Sequence, residues 1–247
     1  MKKYKTYYKR NLPHYQPPGY TFFVTFRLDG SLPFDVIRRL KEEREKELKE
    51  IVGYDNPEIR REKYKSYQSQ YFGKFDKLLD NASYGPTWLK DDKVAGIVKD
   101  AMHFCDKKNY DLICYTIMSN HVHQVFTPFV NRISDSAETR NGVSDYKTVN
   151  RISDSIFKDG ENDQKEVSEY IVSKILQDLK KYTSGKCNKL LNRSGAFWQH
   201  ESYDHVVRDN KELMRIVNYV LNNPVKAGLC EKWEDWKWSY CNFELLG

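Results

Sequence analysis

Two histidines stand two positions apart in Ser119-Asn120-His121-Val122-His123-Gln124. The residues before them, Leu112 to Ile117, are apolar and β-branched and predict a buried strand. Asn120 ends a turn, and a second strand begins at His121. Along a strand, residues i and i+2 point to the same face. His121 and His123 are therefore expected to project together, with Val122 directed into the core. Two imidazoles side by side on a rigid strand are two-thirds of a divalent-metal site. Two ordinary histidines on the wet face of an antiparallel sheet would show the same pattern, so the motif alone leaves both readings open.

A second set of candidates lies near the C-terminus. Asp209 is placed to cap a helix, with Glu212 three positions on completing a capping box. Pro224 is expected to push Asn223 out of helical geometry and to end the helix near there. At about 100° per residue, Leu213, Val217, Val220 and Leu221 form an apolar stripe with Ile216 at its margin. Tyr219 lies just outside that margin, and Asn223, four residues on, shares its edge. If this helix lies against the sheet, its rim can meet the histidines. Two imidazoles, one amide oxygen and waters suit Mg2+ or Mn2+. Such an ion would polarise a phosphodiester, and Tyr219 would be placed to attack phosphorus. Taken alone, Tyr219 is one of 18 tyrosines, and Asn223 is equally a residue before a turn proline.

A third group is basic. From Lys174 to Arg193 there are six cations (Lys174, Lys180, Lys181, Lys186, Lys189, Arg193) against one acid, Asp178. The stretch leads into Phe197-Trp198-Gln199. Phosphate neutralisation beside aromatic rings suits single-stranded nucleic acid, although a solvated helix end and loop would look similar. The 247 residues carry a net charge of +6, which is compatible with a polyanion partner without requiring one.

These groups need elements to hold them. Tyr20 to Arg27 reads as a strand, and Asp29-Gly30 turns the chain. Residues 35–80 are charged and helical in period and read as an inserted helical hairpin. A helix is expected from Asp92 to Lys107, with Val94, Ile97, Val98, Met102 and Phe104 or Cys105 inward. Val167 to Tyr182 reads as an amphipathic helix, followed by a basic loop. Tyr203 to Arg208 reads as a short strand, residues 1–19 as an extended arm, and Trp233 to Phe243 as an aromatic tail over the sheet. Residues 128–165 read as a polar insertion loop, in which Val130-Asn-Arg-Ile-Ser-Asp-Ser136 recurs at 149–155. One repeated heptapeptide does not make a solenoid. The expectation is one α+β domain spanning 1–247, with insertions at 35–80 and 128–165. Five scattered cysteines without a CxxC pair point away from a disulfide framework or zinc ribbon and toward a reducing compartment. No apolar run is long enough to span a membrane.

The chain also resembles a known family. The residues that carry this are Asn11-Leu-Pro-His-Tyr-Gln-Pro17, Phe23-Val-Thr-Phe-Arg-Leu28, Gly85-Pro-Thr-Trp-Leu89 and Ile117-Met-Ser-Asn-His-Val-His123. They continue with Phe197-Trp-Gln199, Asp204, Arg208-Asp209 and Tyr219-Val-Leu-Asn-Asn-Pro-Val-Lys-Ala-Gly-Leu229. In this order they resemble the REP-associated tyrosine transposases, a branch of the single-tyrosine HUH transposases. The resemblance implies a ferredoxin-like domain with a central antiparallel sheet flanked by helices. It implies metal ligation by His121, His123 and Asn223, with Tyr219 as nucleophile. Trp198, Gln199 and Arg208 join the six cations of residues 174–193 as the expected DNA contacts. The implied activity is cleavage and rejoining of single-stranded DNA at palindromic hairpins through a 5′-phosphotyrosine. A cytoplasmic bacterial protein, monomer or homodimer and nucleoid-associated on DNA, would follow. Ser119 stands where the family commonly has proline, and His205 where arginine is expected.

Two other readings compete. A non-cleaving protein that binds DNA hairpins would share the basic surface. A replication initiator or relaxase would share the His-X-His, but no second tyrosine lies one turn from Tyr219.

Overall fold

The computed structural model describes residues 6–9, 13–80, 84–129 and 170–246. These described residues divide into two units: those within 1–31, 79–129 and 170–246 form the first, and residues 32–78 the second. The polar insertion and its repeated heptapeptide lie almost wholly outside the described residues.

The first unit is built on a five-stranded antiparallel sheet. Its strands are β3 (Phe22–Arg27), β4 (Tyr110–Ile117), β5 (His121–Pro128), β6 (Tyr203–Val206) and β7 (Ser239–Cys241), in the spatial order β6-β3-β5-β4-β7. Helix α3 (Asp92–Cys105) connects β3 to β4, and α4 (Ile171–Leu190) lies between β5 and β6 in the chain. The β-α-β-β-α-β connectivity with this strand order is the ferredoxin-like arrangement. β7 extends it by one edge strand, made from the tail expected only to pack over the sheet. Part of the expected N-terminal arm is also paired: β1 (Tyr7–Lys9) and β2 (Pro13–Tyr15) form a separate two-stranded ribbon.

The two faces of the sheet differ. Phe22, Val24 and Phe26 of β3 share a face with Val122 and Phe126 of β5 and with Tyr115 and Ile117 of β4. That face is closed by Val94, Val98 and Met102 of α3 and by Ile171, Ile175, Leu176 and Leu179 of α4. Of the alternatives at the end of α3, Cys105 packs inward and Phe104 is exposed. The opposite face carries Phe23, Thr25 and Arg27 beside His121 and His123. A bulge between Leu112 and Cys114 brings Cys114 opposite Val125 on this second face. Helix α5 (Asn210–Lys226) packs against β4, β5 and β7.

Three boundaries differ from the sequence expectation. Helix α3 stops at Cys105, and Lys107 turns the chain with φ 59°. Helix α4 runs eight residues beyond Tyr182, so Lys186 and Lys189 are helical; the turn comes instead at Asn192 (φ 47°) and Gly195 (φ 89°). Helix α5 passes through Pro224 to Lys226. A proline this close to a helix end removes one hydrogen bond from the final turn only. Burial of Asn223 and Pro224, with Ala227 N donating to Asn223 O (3.0 Å) and Leu229 N to Pro224 O (2.9 Å), offsets that loss.

The second unit contains most of the helical hairpin. α1 (Phe34–Val52) and α2 (Pro57–Asp80) are joined across their surfaces by the Lys74–Glu43 ion pair (3.1 Å) and by Arg44 over the Tyr71 ring (5.7 Å).

Candidate active site

His121 and His123 lie on the α5-facing side of β5 and are fully buried. Their Nε2 atoms are 3.1 Å apart. Each outer nitrogen is held. Asn120 donates its amide Nδ2–H to Leu79 O (3.1 Å), which turns Oδ1 toward His121 Nδ1 at 2.7 Å. An amide oxygen can only accept, so His121 carries its proton on Nδ1 and aims the Nε2 lone pair at His123. Thr25 Oγ1 lies 2.8 Å from His123 Nδ1. With that hydroxyl accepting, a second Nε2 lone pair faces the first. Two lone pairs at this spacing repel unless a proton on one nitrogen or a metal cation lies between them. Imidazole nitrogens bonded to one ion at about 2.1 Å, roughly at right angles, are separated by about 3 Å. The donor set therefore fits a divalent cation, with Asn120 and Thr25 orienting the rings from behind. Asp80 brings a carboxylate oxygen to 3.8 Å from His121 Nε2.

Tyr219 comes to the same place. Its ring packs edge-on against His123 (centroids 5.7 Å, 66°) and against Phe23 (6.1 Å, 80°). Phe23 also contacts His123 (5.7 Å), so it wedges the tyrosine and the imidazole into one cluster. Lys226, two turns on in α5, sets its ammonium 4.8 Å from the Tyr219 ring centre. Asn223 is completely buried one turn beyond Tyr219. The capping box forms in a shifted version. Asp209 accepts from Glu212 N (2.7 Å), while the Glu212 carboxylate accepts from Arg208 N (2.9 Å) and meets His205 Nε2 (3.0 Å). Burial alone would raise the Glu212 pKa, but His205 and Arg208 outweigh it and hold it near 2. His205, standing where arginine was expected, thus serves the helix start.

The basic candidates divide. Lys181, Lys186, Lys189 and Arg208 have exposed side chains. Lys174 pairs with Asp178 at 3.1 Å. Arg193 lies over the Trp88 ring at 3.8 Å and bonds Asn188 Oδ1 (2.5 Å) and Ala196 O (3.1 Å), locking the turn after α4. Lys180 donates to the carbonyls of Gln199 (2.8 Å) and His200 (3.2 Å) and to Ser202 Oγ (2.6 Å); burial lowers its pKa to about 7. Trp198 is only 5% exposed and donates Nε1–H to Thr183 at 2.8 Å, so its ring belongs to the core. Gln199 is tied by its backbone N to Arg27 O (2.8 Å).

Thr25, Phe23, Asn120 and Asp80 were not among the sequence candidates for this site. The alternation Phe23-Val24-Thr25-Phe26-Arg27 does put Phe23 and Thr25 on one face, but only the β3–β5 register shows that His123 pairs with Thr25.

A ferredoxin-like α+β unit that sets a His-X-His against a helix-borne tyrosine is the class the fold and site define. No family model matches the chain. A curated protein of Haemophilus influenzae (strain ATCC 51907 / DSM 11121 / KW20 / Rd), whose name places it among REP-associated tyrosine transposases, is 36% identical over 52 residues. That match covers 21% of this chain and spans 30% of the relative's length. A solved structure of a REP-associated tyrosine transposase bound to a REP hairpin aligns with 94% of this chain and 80% of its own, at 14% identity and a TM-score of 0.46. Over the 52 residues shared with the curated relative, the chain resembles REP-associated tyrosine transposases.

Proposed function

We propose that the chain cleaves and rejoins single-stranded DNA beside palindromic hairpins through a covalent bond between Tyr219 and a 5′-phosphate. The observation that carries this reading is the packing of the Tyr219 ring against His123, whose Nε2 converges with that of His121. His121, His123 and Asn223 would hold Mg2+ or Mn2+, which when bound polarises a phosphoryl oxygen. The chain's own residues do the rest. The Tyr219 hydroxyl oxygen forms a bond to phosphorus as the bond to the 3′-oxygen breaks, and that oxygen leaves protonated as a free 3′-hydroxyl. The phosphodiester is exchanged for a phosphotyrosyl ester, so the 3′-hydroxyl of a second strand can reverse the step without ATP. The Lys226 ammonium lies 4.8 Å from the centre of the ring that carries the attacking oxygen. Lys181, Lys186, Lys189 and Arg208 would neutralise backbone phosphates.

The reading is tested by incubating the full chain with a labelled hairpin oligonucleotide carrying single-stranded flanks and Mn2+. An SDS-stable protein–DNA adduct is expected, lost in Tyr219→Phe. Hairpin binding with no adduct in the wild type would instead favour a non-cleaving hairpin-binding protein.

A further inference from the structure

Two of the five cysteines stand directly opposite each other at the edge of the sheet. In the β4–β7 ladder Cys114 pairs with Cys241, Tyr115 with Tyr240 and Thr116 with Ser239. The backbone bonds define the kind of pair. Ile117 N donates to Trp238 O (3.0 Å), and Asn242 N donates to Ile113 O (2.8 Å). Positions 113 and 117 are therefore hydrogen-bonded sites of one antiparallel register. Such sites alternate along a strand, so Cys114–Cys241 and Thr116–Ser239 are non-hydrogen-bonded pairs. In pairs of that kind the Cα atoms lie about 4.5 Å apart and the side chains come close. A disulfide needs Cα atoms about 4.4–6.8 Å apart, a range that this pairing meets without backbone movement.

The next pair along reports the spacing on the same face. Thr116 Oγ1 and Ser239 Oγ are 3.0 Å apart. Cys114 and Cys241 carry their Sγ atoms at the equivalent places two residues away. On the other face Tyr115 and Tyr240 stack (centroids 5.6 Å, 20°) and hold the same register from behind. Cys114 is fully buried, whereas Cys241 is partly exposed at the edge, and both are free thiols.

We propose that Cys114 and Cys241 form a reversible redox site, closed to a cross-strand disulfide by a small-molecule disulfide such as oxidised glutathione. Cys241, the accessible thiol, attacks one sulfur of the reagent as its thiolate, and one small thiol leaves. The Cys114 sulfur then attacks Cys241; the protein disulfide forms, the mixed disulfide breaks and the second small thiol leaves. Two protein thiols are oxidised, one reagent disulfide is reduced, and both protons depart on the released thiols. Burial pushes the Cys241 thiol up to about 11 and raises that of Cys114 as well, so the exchange is slow near neutral pH. The bond clamps β7, a three-residue edge strand against which α5 packs, to the centre of the sheet. This chemistry is independent of the strand-cleavage reading.

The full chain is incubated with oxidised glutathione at about pH 8, where more thiolate forms, then alkylated under denaturing conditions and digested without reduction. Peptide mass spectrometry should find Cys114 joined to Cys241, and dithiothreitol should separate them. In Cys241→Ser the cross-link should be absent and Cys114 alkylated. In Cys114→Ala the reaction should stop at a glutathione adduct on Cys241. Cys241 is partly exposed, so its variant serves even if Cys114→Ala fails to fold. Amide hydrogen exchange over residues 239–242 should slow by about threefold or more in the oxidised protein, because the edge strand no longer parts from β4. A wild-type chain that keeps both thiols, stops at the Cys241 adduct, or joins either cysteine to Cys105, Cys187 or Cys230 would overturn the proposal. Unchanged exchange in the cross-linked protein would overturn the clamp.

Discussion

Among single residues, the strongest constraint is on the proton positions around the paired imidazoles. Leu79 O fixes the Asn120 amide, that amide fixes the His121 tautomer, and Thr25 holds His123 from the other side. Such outer partners typically alter metal affinity by about 10–100-fold. Thr25→Val keeps the shape of the side chain and removes the hydroxyl. It should weaken Mn2+ binding within that range in calorimetric titration, with the fold unchanged by circular dichroism; unchanged affinity would show that His123 is oriented by something else. His14 offers a prediction about pH. Burial favours its neutral ring, but the bonds and charges of Asp204 and Glu201 outweigh this and raise its pKa from 6.5 to about 9. The folded state binds that proton more tightly than the unfolded chain. The resulting stabilisation is therefore complete below about pH 6.5 and is lost as pH rises through 9. Compared with His14→Gln, wild type should lose up to about 3 kcal/mol more between pH 6.5 and 9.5 in urea unfolding. Parallel curves would contradict the assignment.

The elements place these residues with different degrees of legibility. Strand β5 and helix α5 could be read directly, because period-two alternation around His121-Val122-His123 and the Leu213/Val217/Val220 stripe each select one face. β7 could not, since three residues in an aromatic tail carry no usable period. The end of α4 was hidden by Gly185, which suggests a break but is tolerated inside a helix packed on one side. The end of α5 was hidden by Pro224, whose local cost is smaller than the burial around it. Turn chemistry could be read in kind but not in contact. Gly30 and Gly85 both take positive φ (73°), and a Cβ built on Gly85 would lie 2.0 Å from Gly30 O. Gly85→Ala therefore forces the backbone segments at Gly30-Ser31 and Gly85 apart. It should lower stability by about 2 kcal/mol or more in urea unfolding; a neutral result would mean the loop shifts freely.

At the scale of the whole molecule, the sheet works as a two-sided plate. One side, covered by α3 and α4, supplies the hydrophobic core. The other presents the imidazoles to α5. The sequence contained the apolar pattern for the first side and the chemistry-bearing residues for the second. It did not fix the 96-residue closure from His123 to Tyr219, which depends on register and helix packing; the helix periodicity offered it only on condition that the helix lies against the sheet, and the family resemblance implied it. Among the described residues no helix is long and apolar enough to cross a membrane, and all five cysteines are free thiols. The account rests on the tyrosine that meets His123 being the one that takes the phosphate. Peptide mass spectrometry of the nuclease-trimmed protein–DNA adduct measures this directly. The account predicts a nucleotide attached through its 5′-phosphate to the peptide containing Tyr219. Attachment to any other of the 18 tyrosines, or a 3′-linkage, would contradict it.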